Sequence, residues 1–256
     1  MQQLLDTIDI EIIKNIALEV GEAIMKIYLE EFDVEYKTDN SPLTQADLEA
    51  NKIICDALEK HYSNIPIISE ENKEVAYSTR KEWEYFWCID PLDGTKEFVK
   101  KNGEFSVNIA LIYKDTPVLG VVYAPVTKEL YYAKKAQGAF KNGKKLPLKR
   151  EDNNYIIVAS SSHLSQKNKD FFDTLVTTKN KVILQKGSSL KLCMVAANEA
   201  DIYPRLSPTM EWDSAAADAI VREAGAMSYN LETKKPLVYN KQNLQNPFFL
   251  VTRDRI

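Results

Sequence analysis

The sequence predicts a mixed α/β protein, with helices layered on β-sheets, and three observations predict it. A helical hydrophobic period fills roughly the first thirty residues, a strand-rich meander occupies the middle, and strands alternate with helices through the last hundred or so. Ile13, Ile16, Ala17, Val20, Ile24 and Ile27 recur at helical spacing, so the N-terminal stretch reads as one long amphipathic helix. "NSPLTQADLEANKIICDALEKHY" reads as a turn at Pro42, an N-cap at Thr44 and a second helix that buries Leu48, Ile54 and Leu58. "IPIIS" and "YFWCI" are short buried strands, each ending where carboxylates begin.

From Phe105 to Leu148, β-branched and aromatic residues alternate between the turn signals Lys-Asp-Thr-Pro, Ala-Pro and Asn-Gly, the pattern of an antiparallel meander. The polar run Lys149 to Asn154 then divides the chain into an N-terminal α+β lobe, 1–150, and a C-terminal α/β lobe, 151–256. In the second lobe, strands at "YIIVASSS", "KVILQKG" and "DIYPR" alternate with helices around "KNKDFFDTLVT", "SLKLCMVAANEA" and "SAAADAIVREAG", the last closed by Gly225. No repeat or low-complexity segment interrupts this order.

With 256 residues, 45% of them hydrophobic, the chain can bury a sizeable core. A net charge of −4, with basic and acidic residues interspersed, offers no basic stripe for nucleic acid, so a small molecule is the expected partner. Cys55, Cys88 and Cys193 are scattered and odd in number, which argues against a disulfide framework or a thiolate zinc site and suits a reducing cytoplasm. The start "MQQLLDTIDIEIIK" carries acids where a secretory signal carries positive charge, and no run approaches transmembrane length. A peripheral contact needs no such run, so attachment to the cytoplasmic face of the inner membrane stays open, as does a homodimer.

Acids stand at the ends of distant elements: Glu70 with Glu71, Asp90 with Asp93, Asp47 and Asp213. Each has a bland account, since Thr44 and Asp47 match a capping box, Asp213 suits a helix start and Asp-Gly suits a turn. Taken together, that account needs four independent coincidences. Oxygen donors of this kind suit Mg²⁺ or Mn²⁺, and with only His61 and His163 in the chain, histidine-based zinc chemistry is not expected. A serine triad on His163 lacks its Gly-x-Ser-x-Gly elbow, and an EF-hand counted from Asp90 fails at Leu92 and Lys101. Pro91 makes a tight turn that faces Asp90, Asp93 and the Leu92 carbonyl to one point, and Gly94 and Thr95 follow at a helix start suited to phosphate.

"LTQAD", "SEEN", "IDPLDGTKEF" and "EWDSAAADAI", in that order, resemble the lithium-sensitive, magnesium-dependent phosphatases related to inositol monophosphatase, across nearly the whole chain. "PLDGTKEFVKKNGEFSVNIALI", "LGVVYAPV", "GSSLK" and "YPR" are similar to the CysQ type of 3′(2′),5′-bisphosphate nucleotidase within that family. The resemblance implies a layered αβαβα sandwich and hydrolysis of 3′-phosphoadenosine 5′-phosphate to AMP and phosphate in sulfur assimilation. It implies about two or three Mg²⁺ ions, with Mn²⁺ as a substitute. Glu70, Asp90, the Leu92 carbonyl, Asp93 and Asp213 would be the metal ligands, and Asp47, Glu70 and Thr95 the catalytic residues acting on the attacking water. Substrate would meet Gly94 and Thr95 at the scissile phosphate, beside Glu70, Leu92, Asp93 and Asp213. Ser161, His163, Ser188, Lys191 and Arg205 would face the nucleoside end. A sister enzyme acting on inositol or sugar phosphates, and a non-catalytic binding module on the same scaffold, are the competing readings.

Overall fold

The computed structural model describes residues 2–36, 42–161 and 165–255, with side chains from Leu4 onward. Two helices stand where the period predicted one: α1 (Gln2–Thr7) and α2 (Ile10–Tyr28). Asp9 causes the break, because its carboxylate caps α2 by accepting the Glu11 N–H at 2.9 Å, which starts a helix rather than continuing one. Strands β1 (Val34–Tyr36) and β2 (Pro42–Thr44) pair antiparallel, so Pro42 sits in a strand and not in a turn. Helix α3 (Gln45–Tyr62) buries Ala46, Asp47, Ala50, Ile54 and Leu58. Leu48 is 51% exposed, contrary to expectation: Asp47, not Leu48, is in phase with Ala50, Ile54 and Leu58.

The next elements are β3 (Ile67–Ser69), α4 (Tyr77–Arg80), β4 (Tyr85–Asp93) and α5 (Thr95–Val99). The meander then runs through β5 (Ser106–Tyr113), β6 (Thr116–Ala124), β7 (Glu129–Lys134), β8 (Gly138–Lys141) and β9 (Lys144–Lys145). Together β3 to β9 form a seven-stranded sheet in sequence order, parallel between β3 and β4 and antiparallel thereafter. Side chains alternate across it. Trp87, Ile89, Ile109, Leu111 and Val121 meet α2 and α3, while Phe86, Cys88, Ala110, Ile112 and Val122 face the opposite way.

The second half contributes β10 (Tyr155–Ser160), α6 (Gln166–Thr174), β11 (Lys181–Lys186), α7 (Leu190–Ala196), β12 (Ile202–Arg205), α8 (Trp212–Glu223), β13 (Met227–Asn230) and β14 (Phe249–Thr252). Strands β13 and β14 are absent from the sequence reading, and they complete a five-stranded sheet ordered β11-β10-β12-β14-β13. Helices α7 and α8 lie between the two sheets, packed on Ala110 and Val122 from one side and on Val158, Tyr203 and Val251 from the other. Phe172 of α6 covers the outer face with Ile157, Ile202 and Leu250. The layers therefore run α, β, α, β, α, as the resemblance implied. Among the described residues, no helix is long and apolar enough to cross a membrane.

Candidate active site

Sheet topology brings the first acids together. Parallel pairing sets Ser69 beside Ile89, so Glu70 and Asp90 follow the last paired residues of β3 and β4 at the same end. Strand β4 continues through Asp90-Pro-Leu-Asp with an irregular register, in place of the tight turn expected there. The Leu92 N–H folds back onto Asp90 Oδ1 at 3.1 Å. Gly94 then takes φ 95°, and a Cβ at that point would meet the Glu104 carbonyl at 3.1 Å. A glycine is thus needed to turn the chain into α5.

That turn places Thr95 Oγ1 3.1 Å from Asp47 Oδ1 and 3.2 Å from the Leu92 carbonyl, its single proton shared between two acceptors. Asp47 Oδ2 accepts from the Thr44 N–H at 2.7 Å and from the Thr44 hydroxyl at 2.6 Å. The capping box is therefore real, and it occupies one oxygen of Asp47 while the other meets Thr95.

From the far side of the sheet, α8 carries Asp213 in its first turn, with Oδ2 accepting the Met210 N–H at 2.9 Å. Carboxylate oxygens of Glu70, Asp90 and Asp213 all lie within 4.8 Å of one another. Burial, then Glu70 and the other nearby acids, push Asp90 well above the ordinary carboxylate range. Burial and Asp93 push Asp213 up to about 8. Burial raises Asp93 to about 6, against the pull of Lys191 and the Ser189 N–H. Burial also raises Asp47, opposed by its Thr44 and Thr95 hydrogen bonds. Oxygen-only donors, crowded until they resist ionising, are the chemistry of a hard divalent cation site, and these residues fit one. The Asp93 carboxylate is turned partly aside: Oδ2 accepts from the Ser189 N–H and, at 3.3 Å, from Asn108 Nδ2.

A cleft of about 210 Å³ joins Glu70, Asp90, Leu92, Asp93, Gly94, Thr95 and Asp213 to Ser188, Lys191 and Arg205. Lys191 is 4% exposed, donates to the Ser188 carbonyl and lies 5.6 Å over the Tyr203 ring. Burial holds its ammonium down at about 8, with Asp93 opposing and Arg205 assisting. Arg205 donates from Nη2 to the Pro208 carbonyl at 2.9 Å, but its Nε is buried without a partner among the described residues. Ser161 is turned to Glu104 Oε2 at 2.8 Å, and its neighbour Ser160 lines the cleft instead. His163 lies outside the described residues. Lys96, Glu97, Tyr203, Thr209, Ser214 and Phe249 also line the cleft; Thr209 and Phe249 stand in no motif of the sequence, whereas Ser214 falls within "EWDSAAADAI".

The profile of the Inositol monophosphatase family matches residues 5–247. Over 248 residues the chain is 41% identical to the 3′(2′),5′-bisphosphate nucleotidase CysQ of Salmonella typhimurium, covering 95% of this chain and 99% of that one. Its counterpart in Escherichia coli K12 is also 41% identical, over 244 residues, with 93% and 97% covered. The crystal structure of CysQ from Bacteroides thetaiotaomicron, titled a bacterial member of the inositol monophosphatase family, superposes with a TM-score of 0.85 at 41% identity, covering 93% of this chain and 95% of that one. The Thermotoga maritima IMPase TM1415 superposes at 0.77 with 26% identity, covering 95% and 91%.

Proposed function

The chain belongs to the inositol monophosphatase family, and from that premise we propose that it is a 3′(2′),5′-bisphosphate nucleotidase that removes the 3′-phosphate of 3′-phosphoadenosine 5′-phosphate. One observation carries the choice of substrate: a single cleft is lined both by the acids and by the cations Lys191 and Arg205. A monophosphate needs only the acids. Lys191 and Arg205 give the cleft two cations and a use for another phosphate.

Glu70, Asp90, the Leu92 carbonyl, Asp93 and Asp213 would hold the divalent cations, with Mg²⁺ our assignment and Mn²⁺ its substitute. Such ions, when bound, supply acidified water and neutralise charge on the phosphoryl and leaving oxygens. Thr95 and Asp47 hold the proton path: the Thr95 hydroxyl orients the attacking water and Asp47 accepts a proton through it, across the 3.1 Å contact. Glu70 stands at the same cleft wall and helps fix that water. Backbone N–H groups at Gly94 and Thr95 hold the phosphoryl oxygens, and water oxygen replaces the 3′-oxygen on phosphorus in line. Ser188, Lys191 and Arg205 fix the other end of the nucleotide, setting the reacting atoms in register. Uncatalysed phosphate-monoester hydrolysis is slow enough to need up to about 10²¹-fold acceleration, so positioned charge has to supply most of it.

Asp90→Asn keeps the shape and removes the charge. It is expected to abolish phosphate release while leaving the far-UV spectrum and melting profile native-like. Wild-type turnover of this variant at saturating Mg²⁺ would remove Asp90 from the cation site. A reducing cytoplasm is the setting we assign, in keeping with three free thiols at Cys55, Cys88 and Cys193.

A further inference from the structure

Asp93 is joined to the second half of the chain by a buried polar network whose members have no assigned role. Asn108, 1% exposed on β5, donates from Nδ2 to Asp93 Oδ2 at 3.3 Å. Its Oδ1 accepts from the Ser189 hydroxyl at 2.8 Å and from the Ser106 hydroxyl at 3.3 Å. The Ser189 hydroxyl, 2% exposed, also lies 3.0 Å from that of Ser106, which is fully buried. Meanwhile the Ser189 backbone N–H donates to the same Asp93 Oδ2. Rotating the Asn108 amide by half a turn would set its oxygen against a carboxylate oxygen, so the network admits one orientation.

Two consequences follow for Asp93. With Oδ2 held by two donors, Oδ1 is the oxygen left to face the cleft. Its orientation also depends on the seating of the 187–191 turn, which supplies one of those donors. That turn presses closely on the first half, since a Cβ on Gly187 would lie 2.4 Å from the Glu104 carbonyl. The same turn sends Ser188 and Lys191 into the cleft.

We propose that Asn108 is a positioning residue: through Ser189 it ties the orientation of Asp93 to the turn that meets the nucleotide, so nucleotide binding and cation binding reinforce each other. The coupling half of this inference rests on the nucleotidase reading; the Asn108–Asp93 half does not. Reciprocity makes it measurable, because a nucleotide that tightens the cation must be tightened by it equally.

The experiment titrates Mn²⁺ into metal-free protein by calorimetry, with and without saturating AMP, for the wild type, Asn108→Ala and Ser189→Ala. Melting curves establish that each variant is folded. In the absence of AMP, Asn108→Ala is expected to weaken Mn²⁺ binding by about 10-fold or more, as for other groups that brace a metal-binding side chain. Ser189→Ala keeps its backbone N–H and is expected to lose less. AMP is expected to tighten Mn²⁺ in the wild type, with the gain shrinking toward none in Asn108→Ala. Should Asn108→Ala not fold, Ser189→Ala carries the test through the same loss of coupling. A folded Asn108→Ala that binds Mn²⁺ as the wild type does would overturn the positioning role. AMP that binds the wild type without changing its Mn²⁺ affinity would overturn the coupling, whereas AMP that does not bind at all would overturn the nucleotidase reading and leave the Mn²⁺ arm to decide on Asn108.

Discussion

Lys191 keeps a charge in a place that disfavours it. Burial is the largest cause of its lowering to about 8, Arg205 adds to it, and Asp93, Glu97 and Glu104 pull the other way. The sign of the stability effect follows from linkage. Below pH 8 both folded and unfolded chains hold the proton and the cost of a buried ammonium is felt in full; from about 8 to 10.5 that cost is relieved as pH rises. Activity runs the opposite way, because the neutral amine no longer attracts a phosphate. We expect kcat/KM for 3′-phosphoadenosine 5′-phosphate to fall as pH rises through about 8, relative to that for inositol 1-phosphate measured alongside. Lys191→Ala should raise KM for the nucleotide more than for the inositol ester and erase the relative pH dependence; equal effects on both substrates would take Lys191 out of the nucleotide site. A second expectation concerns the acids. Asp213, pushed up to about 8, must release its proton to ligate a cation, so Mn²⁺ affinity of the wild type should weaken as pH falls from 8 to 6, with protons released on binding. An affinity that stays flat across that range would contradict the crowded-carboxylate account of the site.

Element by element, the strands and helices most evident in the sequence are those with an unbroken period. The meander needed only alternation and turn residues, and it forms as β5 to β9. The first helix divided because one capping aspartate outweighs a continuous apolar stripe, and no count of apolar positions carries that information. Leu48 reads as a core residue because apolar residues usually occupy a helix's inward face, but here Asp47 does. A polar residue in phase with Ala50, Ile54 and Leu58 is the sign that Asp47 faces the site. Strands β13 and β14 are only four residues each and, unlike the similarly short β3 and β12, adjoin no motif that sets them off from loop. The seat of α8 on the first sheet depends on a glycine that is also unremarkable in sequence. A Cβ on Gly120 would stand 2.1 Å from the Ala216 carbonyl, a backbone atom that cannot move aside alone. Gly120→Ala should therefore cost about 1–3 kcal/mol or more in urea unfolding and, by shifting α8, lower turnover through Asp213. A variant with the wild-type unfolding midpoint would contradict that packing.

For the molecule as a whole, the layering places the site where two sheets and a middle helical layer converge. The run 149–154 marks a change in topology, and we propose it as a boundary between lobes rather than between separate folding units, because the central hydrophobic cluster takes residues from both sides of it. The motif residues Glu70, Asp90 and Asp213 were legible because each stands where the sequence turns from an apolar run to acids or from a loop to a helix, and the folded chain brings them together. Asn108, Ser189 and Tyr203 stand inside quoted motifs, but their roles were not legible, since a buried asparagine, serine or tyrosine in an apolar strand or helix start has no distinctive spacing. Convergence of cations and acids in a single cleft is what separates a bisphosphate from a monophosphate substrate. Phosphate release should therefore be compared for 3′-phosphoadenosine 5′-phosphate and inositol 1-phosphate, each with Mg²⁺, with EDTA, and with Mg²⁺ plus Li⁺. The account predicts strong preference for the nucleotide, lost in EDTA and inhibited by Li⁺; equal or greater release from the inositol ester, or release from the nucleotide that survives EDTA, would contradict it.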